Sequence, residues 1–141
     1  MEDASLQRFV AAQQPVIDAV RNELRAGKKR THWMWFVFPQ LQGLGNSAMA
    51  RRFALASLEE AREYLAHPVL GPRLIECCTL LAEGKAANIH DILGWPDDMK
   101  FRSCCTLFRE AAPDEPVFRK CIDRFYGGRA DDKTLDLLSR P

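Results

Sequence analysis

The sequence predicts an all-α fold: one compact domain of about seven or eight short helices crossed at varied angles, not an up-and-down bundle. Three observations predict it. Apolar residues recur at helical spacing in segment after segment, whereas no stretch of useful length shows the alternation of a half-buried strand. Residues that start or stop helices (Ser, Asn, Asp, Gly, Pro) punctuate these segments at short intervals. The segments are too short and unequal to run side by side along a bundle, so crossed packing is expected. A chain of 141 residues fits a single domain, 1–141.

Ser5 is placed to cap a short helix carrying Phe9 and Val10. Pro15 fits the first turn of a second helix, which carries Val16, Val20 and Leu24 on one face to about Ala26, with Gly27 just past its end. Met34 to Phe38 is apolar all round; it reads as one buried helical turn, with a short strand as the alternative, and Pro39 ends it. Gly43, Gly45 and Asn46 form a loop, after which Ser47 caps a helix through Arg51, Arg52 and Phe53. Ser57-Leu58-Glu59-Glu60 has the form of a capping box and opens a helix through Ala61, Tyr64 and Leu65 that His67-Pro68 stops.

Gly71-Pro72 opens the next helix, with Leu74, Cys77 or Cys78, and Leu81 in step and Gly84 as its terminator. Asn88 caps a short turn through Ile89, Ile92 and Leu93, closed by Gly94. Trp95-Pro96-Asp97-Asp98 is a turn whose Asp98 serves as N-cap. The following helix sets Phe101, Cys104, Cys105 and Phe108 on one face, with Lys100, Ser103 and Thr106 beside them. Pro113 ends it, and Pro116 opens a helix with Val117, Cys121 and Phe125 that stops at Gly127-Gly128. Asp131-Asp132 caps a last one with Leu135, Leu137 and Leu138.

With 47% hydrophobic and 28% charged residues and a net charge of +1, the composition is that of a globular domain without the basic excess of a nucleic-acid binder. The basic cluster Arg25, Lys28, Lys29 and Arg30 reads as a solvated helix end. Five cysteines, with two adjacent pairs and no C-x-x-C, suit reduced, buried thiols rather than a disulfide framework. There is no basic-then-apolar leader and no apolar run long enough to span a bilayer, so a cytoplasmic location away from membranes is expected. His32, His67 and His90 lack the spacing of metal ligands, and no nucleotide or cofactor motif is present, so neither metal nor cofactor is expected.

The polar residues inside the aromatic stretch 31–47 are the candidate site. His32, Gln40, Asn46 and Ser47 sit among Trp33, Trp35, Phe36 and Phe38, where burial without partners would be costly. The Gly45-Asn46-Ser47 loop running into a helix start offers N–H groups to an anion, and Arg51 or Arg52 adds charge. Asp98, Lys100 and Ser103 provide acid, base and hydroxyl at a second helix start. Together these suit a phosphorylated or carboxylated ligand with a flat ring. Trp33 or Trp35 would stack on the ring, Gln40, Gly45, Asn46, Ser47 and Ser103 would bind, and His32 and Lys100 would be the polar groups able to act chemically.

His32-Trp-Met-Trp-Phe-Val-Phe-Pro-Gln40 followed by Gly43-Leu-Gly-Asn-Ser47 resembles the bacterial family known as domain of unknown function 1810. The resemblance continues through Glu60-Ala61, Tyr64 to Gly71, Arg73-Leu74, Asp98-Met-Lys100 to Thr106-Leu-Phe108, Phe125-Tyr-Gly-Gly128 and Asp132 to Leu138. It implies a small, predominantly α-helical bacterial protein. Relatives tend to have a serine pair where this chain has Ser103-Cys104. The family has no established activity, so the resemblance transfers no catalytic residue. Size and helix order are also similar to small bacterial domains that process ADP-ribose adducts, a similarity that carries no site.

Two functions follow as expectations. One is a small enzyme or ligand-binding protein whose aromatic-walled anion pocket takes a phosphorylated or nucleotide-derived metabolite, ADP-ribose-like, with cofactor-independent hydrolase chemistry if any. The other is a non-catalytic interaction domain with the aromatic segment as core and a surface groove for a protein partner. A monomer or weak homodimer is expected in either case. A deep polar-lined pocket favours the first and a flat apolar patch the second.

Overall fold

A computed structural model describes residues 5–140. Among these the chain forms ten helices and no strand: α1 (Gln7–Gln13), α2 (Ile17–Ala26), α3 (Met34–Val37), α4 (Ala48–Arg52), α5 (Leu58–Ala66), α6 (Leu70–Glu83), α7 (Ile89–Leu93), α8 (Asp97–Ala111), α9 (Pro116–Tyr126) and α10 (Asp132–Ser139). The all-α expectation holds. Seven of the ten have at least seven residues; the others are the single turns α3, α4 and α7. The sole β feature among the described residues is an isolated parallel bridge between Leu41 and Leu55, which ties the loop after α3 to the one after α4.

Most of the expected start and stop signals act as read. Ser47, Ser57, Asn88 and Asp131 each accept a hydrogen bond from a first-turn N–H, and Gly27 and Gly127 end α2 and α9 in the left-handed region. Several signals act otherwise: Pro15 precedes α2 instead of standing in its first turn, and Gly71-Pro72 lies inside α6, which opens at Leu70. Ser5 does not cap α1; its hydroxyl donates to Glu60 at 3.3 Å, because the helix begins one residue later than a Ser5 cap requires. Asp98 lies inside α8 rather than before it, since the backbone N–H of Asp98 already bonds the Gly94 carbonyl and extends the helix back to Asp97.

Buried and central, α8 packs against α5, α7, α9 and α10. A chain of ring contacts runs through the core from Phe53 to Phe9, Tyr64, Phe108 and Phe118, with successive centroids 5.6, 5.2, 5.4 and 5.6 Å apart. Phe38 joins α8 through Phe101 at 4.8 Å. Gly71 permits the close approach of α6 to α5: a β-carbon there would lie 2.0 Å from the Leu65 carbonyl oxygen. All five thiols are buried, and none forms a disulfide. Burial holds those of Cys78, Cys104 and Cys105 well above the ordinary range and pushes Cys77 to about 12, so these four stay protonated and unreactive.

Candidate functional site

The aromatic motif divides at α3. Trp33 is the residue before the helix, and its indole turns inward to complete burial. Its Nε1–H donates to Glu23 Oε1 at 3.1 Å. Glu23 is itself buried and accepts three further bonds, from the Arg30 and Thr31 amides at 2.6 and 2.9 Å and the Thr31 hydroxyl at 2.7 Å. Burial alone would raise the Glu23 pKa; these hydrogen bonds outweigh it, and the carboxyl is held below its usual value. Lys29 lies over the Trp33 ring at 5.1 Å and pairs with Asp97 at 2.9 Å. The cluster read as a solvated helix end thus contributes a largely buried ion pair that fastens the 28–33 loop to the start of α8.

Trp35 sits on the opposite side of the same turn. It is partly buried, lines a cavity of about 280 Å³ with Phe38, Gln40, Gln42, Arg51 and Phe53, and carries the Lys100 ammonium 5.4 Å from its ring centroid. Its Nε1–H is closed off from solvent and is the one buried side-chain polar atom without a partner among the described residues. Such a group destabilises the free protein by about 1–3 kcal/mol. A second cavity of about 430 Å³ adjoins the first. It is lined by Asn46, Ser47, Met99, Lys100, Ser103 and Lys133, and shares Gln40, Gly45 and Ala50 with its neighbour. The two are lobes of one cleft, and Gly45 sets their seam: a β-carbon there would come within 2.7 Å of that of Ala50.

Seven of the expected residues therefore meet in this cleft: Trp35, Gln40, Gly45, Asn46, Ser47, Lys100 and Ser103. Trp33 and His32 do not. Trp33 is sealed in the core on Glu23 and has no face left to stack on a ligand. His32 is exposed in the bend before α3 and lines neither lobe. Both follow from the inward turn of Trp33.

The charge balance of the cleft is basic. Asp97 holds Lys29 closely on Oδ2 and leaves Lys100 a loose contact of 3.9 Å on Oδ1. Arg51, Lys133, Gln40, Gln42 and Asn46 have no side-chain partner among the described residues. Asp131 is the lining carboxylate, and its Oδ2 is already engaged by the Ser103 hydroxyl at 3.1 Å and by Thr134. That commits the Ser103 proton, so Ser103 forms wall rather than donor. Ser47 accepts from the Ala50 amide, which leaves its own proton free.

The expected helix-start contributions are weaker than the side chains. α4 is one turn long and Ser47 takes its first-turn N–H, while Asp97 and Asp98 sit in the first turn of α8. Gln42 and Lys133 escaped the sequence reading. A lysine immediately after the first residue of α10 opposes the helix dipole, and that was the available signal for Lys133. Gln42 carried none.

A family model described as "Protein of unknown function (DUF1810)" matches residues 3–138. The crystal structure of the conserved hypothetical protein Rv1873 from Mycobacterium tuberculosis is similar at a TM-score of 0.94, with 50% identical residues over 96% of this chain and 97% of that one. No curated protein matches the chain. Among the described residues no helix is long and apolar enough to cross a membrane.

Proposed function

We propose a ligand-binding function for this chain, which belongs to the DUF1810 family of proteins of unknown function: the two-lobed cleft takes up a small phosphorylated or nucleotide-derived metabolite. The observation that carries this is the concentration of unpartnered polar side chains around one cleft. Arg51, Lys133, Gln40, Gln42 and Asn46 are all uncommitted there, beside the unpaired Trp35 N–H. A protein that merely folds leaves such groups scattered in water; a binding site gathers them round a hollow.

In this reading Lys100 is the movable cation. Its present contacts, a ring face at 5.4 Å and a carboxylate at 3.9 Å, are both weak, so an entering anion outcompetes them. Arg51 and Lys133 flank it from α4 and α10, and Ser47 donates its free proton. Binding is better supported than hydrolysis. Asp131 is committed to Ser103 and Thr134, and His32 lines neither lobe, so the cleft has no free general base.

A second reading, docking of a protein partner, is favoured by one observation. Among the described residues Trp95 and Met99 are the large apolar side chains left exposed, at 75% and 45%, and Met99 with Pro96 borders the larger lobe. Thermal-shift screening against a metabolite panel that includes nucleotides and sugar phosphates separates the two. A ligand at a hundred times its dissociation constant stabilises by about 2.7 kcal/mol, several degrees for a domain of this size. Shifts produced by phosphorylated compounds and abolished in Lys100→Ala are expected. A panel without any shift transfers the preference to the docking reading.

A further inference from the structure

Resting on the binding function proposed above, we infer how that site is controlled: Asp97 is an internal competitor for the Lys100 ammonium, and Lys29 keeps the ammonium available to an anion by holding Asp97 on its other oxygen. Lys29 and Asp97 line neither cavity. They are positioning residues, which act on the ligand through Lys100.

One carboxylate stands between two lysines. Asp97 is the first residue of α8 and Lys100 lies three positions on, a spacing at which helix side chains meet. By that spacing alone the two would pair closely. They are 3.9 Å apart instead, while Lys29 Nζ lies 2.9 Å from the other carboxylate oxygen. Burial and anchoring decide between the two lysines. The Lys29 side chain is 9% exposed, its ammonium lies over the Trp33 ring at 5.1 Å, and its backbone N–H donates to the Ile92 carbonyl at 2.8 Å. A cation so nearly out of water loses more by giving up its partner than Lys100 does, because Lys100 is 28% exposed and water can solvate it. Lys29 therefore takes the carboxylate, and Lys100 is left with a loose contact and the face of Trp35. Withdrawing Lys29 turns Asp97 wholly onto Lys100, and the cleft loses the cation that an entering anion recruits.

Isothermal titration calorimetry with pyrophosphate on wild type, Lys29→Met, Asp97→Asn and the double variant tests this as a double-mutant cycle. Lys29→Met should weaken binding by about fivefold, the upper range for a partly exposed ion pair newly closed on Lys100. Asp97→Asn should tighten it by about twofold or more, because the competitor is gone. Added to Asp97→Asn, Lys29→Met should change the affinity by less than about twofold, since no carboxylate remains to be released. That last comparison carries the test even where Lys29→Met alone loses stability, because the double variant leaves neither charge buried without its partner. Effects that simply add in the double variant would mean that the two residues act by bulk charge, and would overturn the inference while leaving the anion cleft standing. Lys29→Met binding as tightly as wild type would do the same. Wild-type protein that binds no pyrophosphate, or binding that survives Lys100→Ala, would remove the anion cleft and this inference together.

Discussion

Trp33 and Trp35 are two residues apart and lie in opposite worlds. Around Trp33 the buried polar groups are paired: Glu23 accepts four hydrogen bonds, and Lys29 pairs with Asp97. Around Trp35 the indole N–H has no partner and Gln40, Gln42, Arg51 and Lys133 stand free beside two cavities. The first region is complete as folded; the second holds the ligand site proposed above. Buried polar groups are ordinarily paired, so the Trp35 N–H is the exception within the motif. The same residue type in the same motif serves each purpose, separated by a fraction of a helical turn.

The largest expected effect breaks the comparison if it fails. Trp33→Ala should cost about 3–5 kcal/mol of stability in urea denaturation, the range for deleting a buried tryptophan, and Trp35→Ala distinctly less. Equal losses would mean that Trp35 is as much a core residue as Trp33.

Glu23→Gln sharpens it through pH. The neutral amide keeps the shape but weakens bonds worth about 1.5–3 kcal/mol each to a charged group. The folded-state pKa of Glu23 lies below its ordinary value of 4.5. Its contribution is therefore fully present above that value and drains away as pH falls through the lower folded value. Stability curves of wild type and variant should stand apart at neutral pH and converge in acid. A gap that stays constant with pH would show that Glu23 acts by packing alone.

The smallest effects on stability fall on the open side. Lys100→Ala should weaken binding of an anionic ligand by roughly 1.5–3 kcal/mol and leave the melting temperature near wild type. His32→Ala should change both quantities by less than about 0.5 kcal/mol. If His32→Ala impaired binding as Lys100→Ala does, the cleft would have to extend across the bend before α3.

Wherever a local signal decides the outcome, it was legible. Ser47, Ser57, Asn88 and Asp131 cap because a short side chain beside a helix start has few other partners, and Gly27 and Gly127 terminate because they alone adopt a positive φ cheaply. Ser5 does not cap because Leu6 takes the position before α1, and its hydroxyl instead donates to Glu60, 55 positions away. The gathering of Gln40, Gly45, Asn46, Ser47, Lys100 and Ser103 in one cleft was suggested by two helix starts of similar chemistry. The finished geometry shows both starts already occupied, with free side chains supplying the charge.

By itself the sequence determined the helices, most of their ends, the family and the fact that the segment 31–47 supplies both core and polar groups. Those properties depend on spacing, caps and composition, which act over a few residues. Tertiary structure alone decided which tryptophan is core, that Lys29 pairs with Asp97, that Lys133 joins Lys100, and that His32 lines neither lobe. Each of these turns on partners brought together from distant positions. Glu23 lies ten residues before Trp33, and nothing local says that its carboxylate will turn inward and take the indole with it.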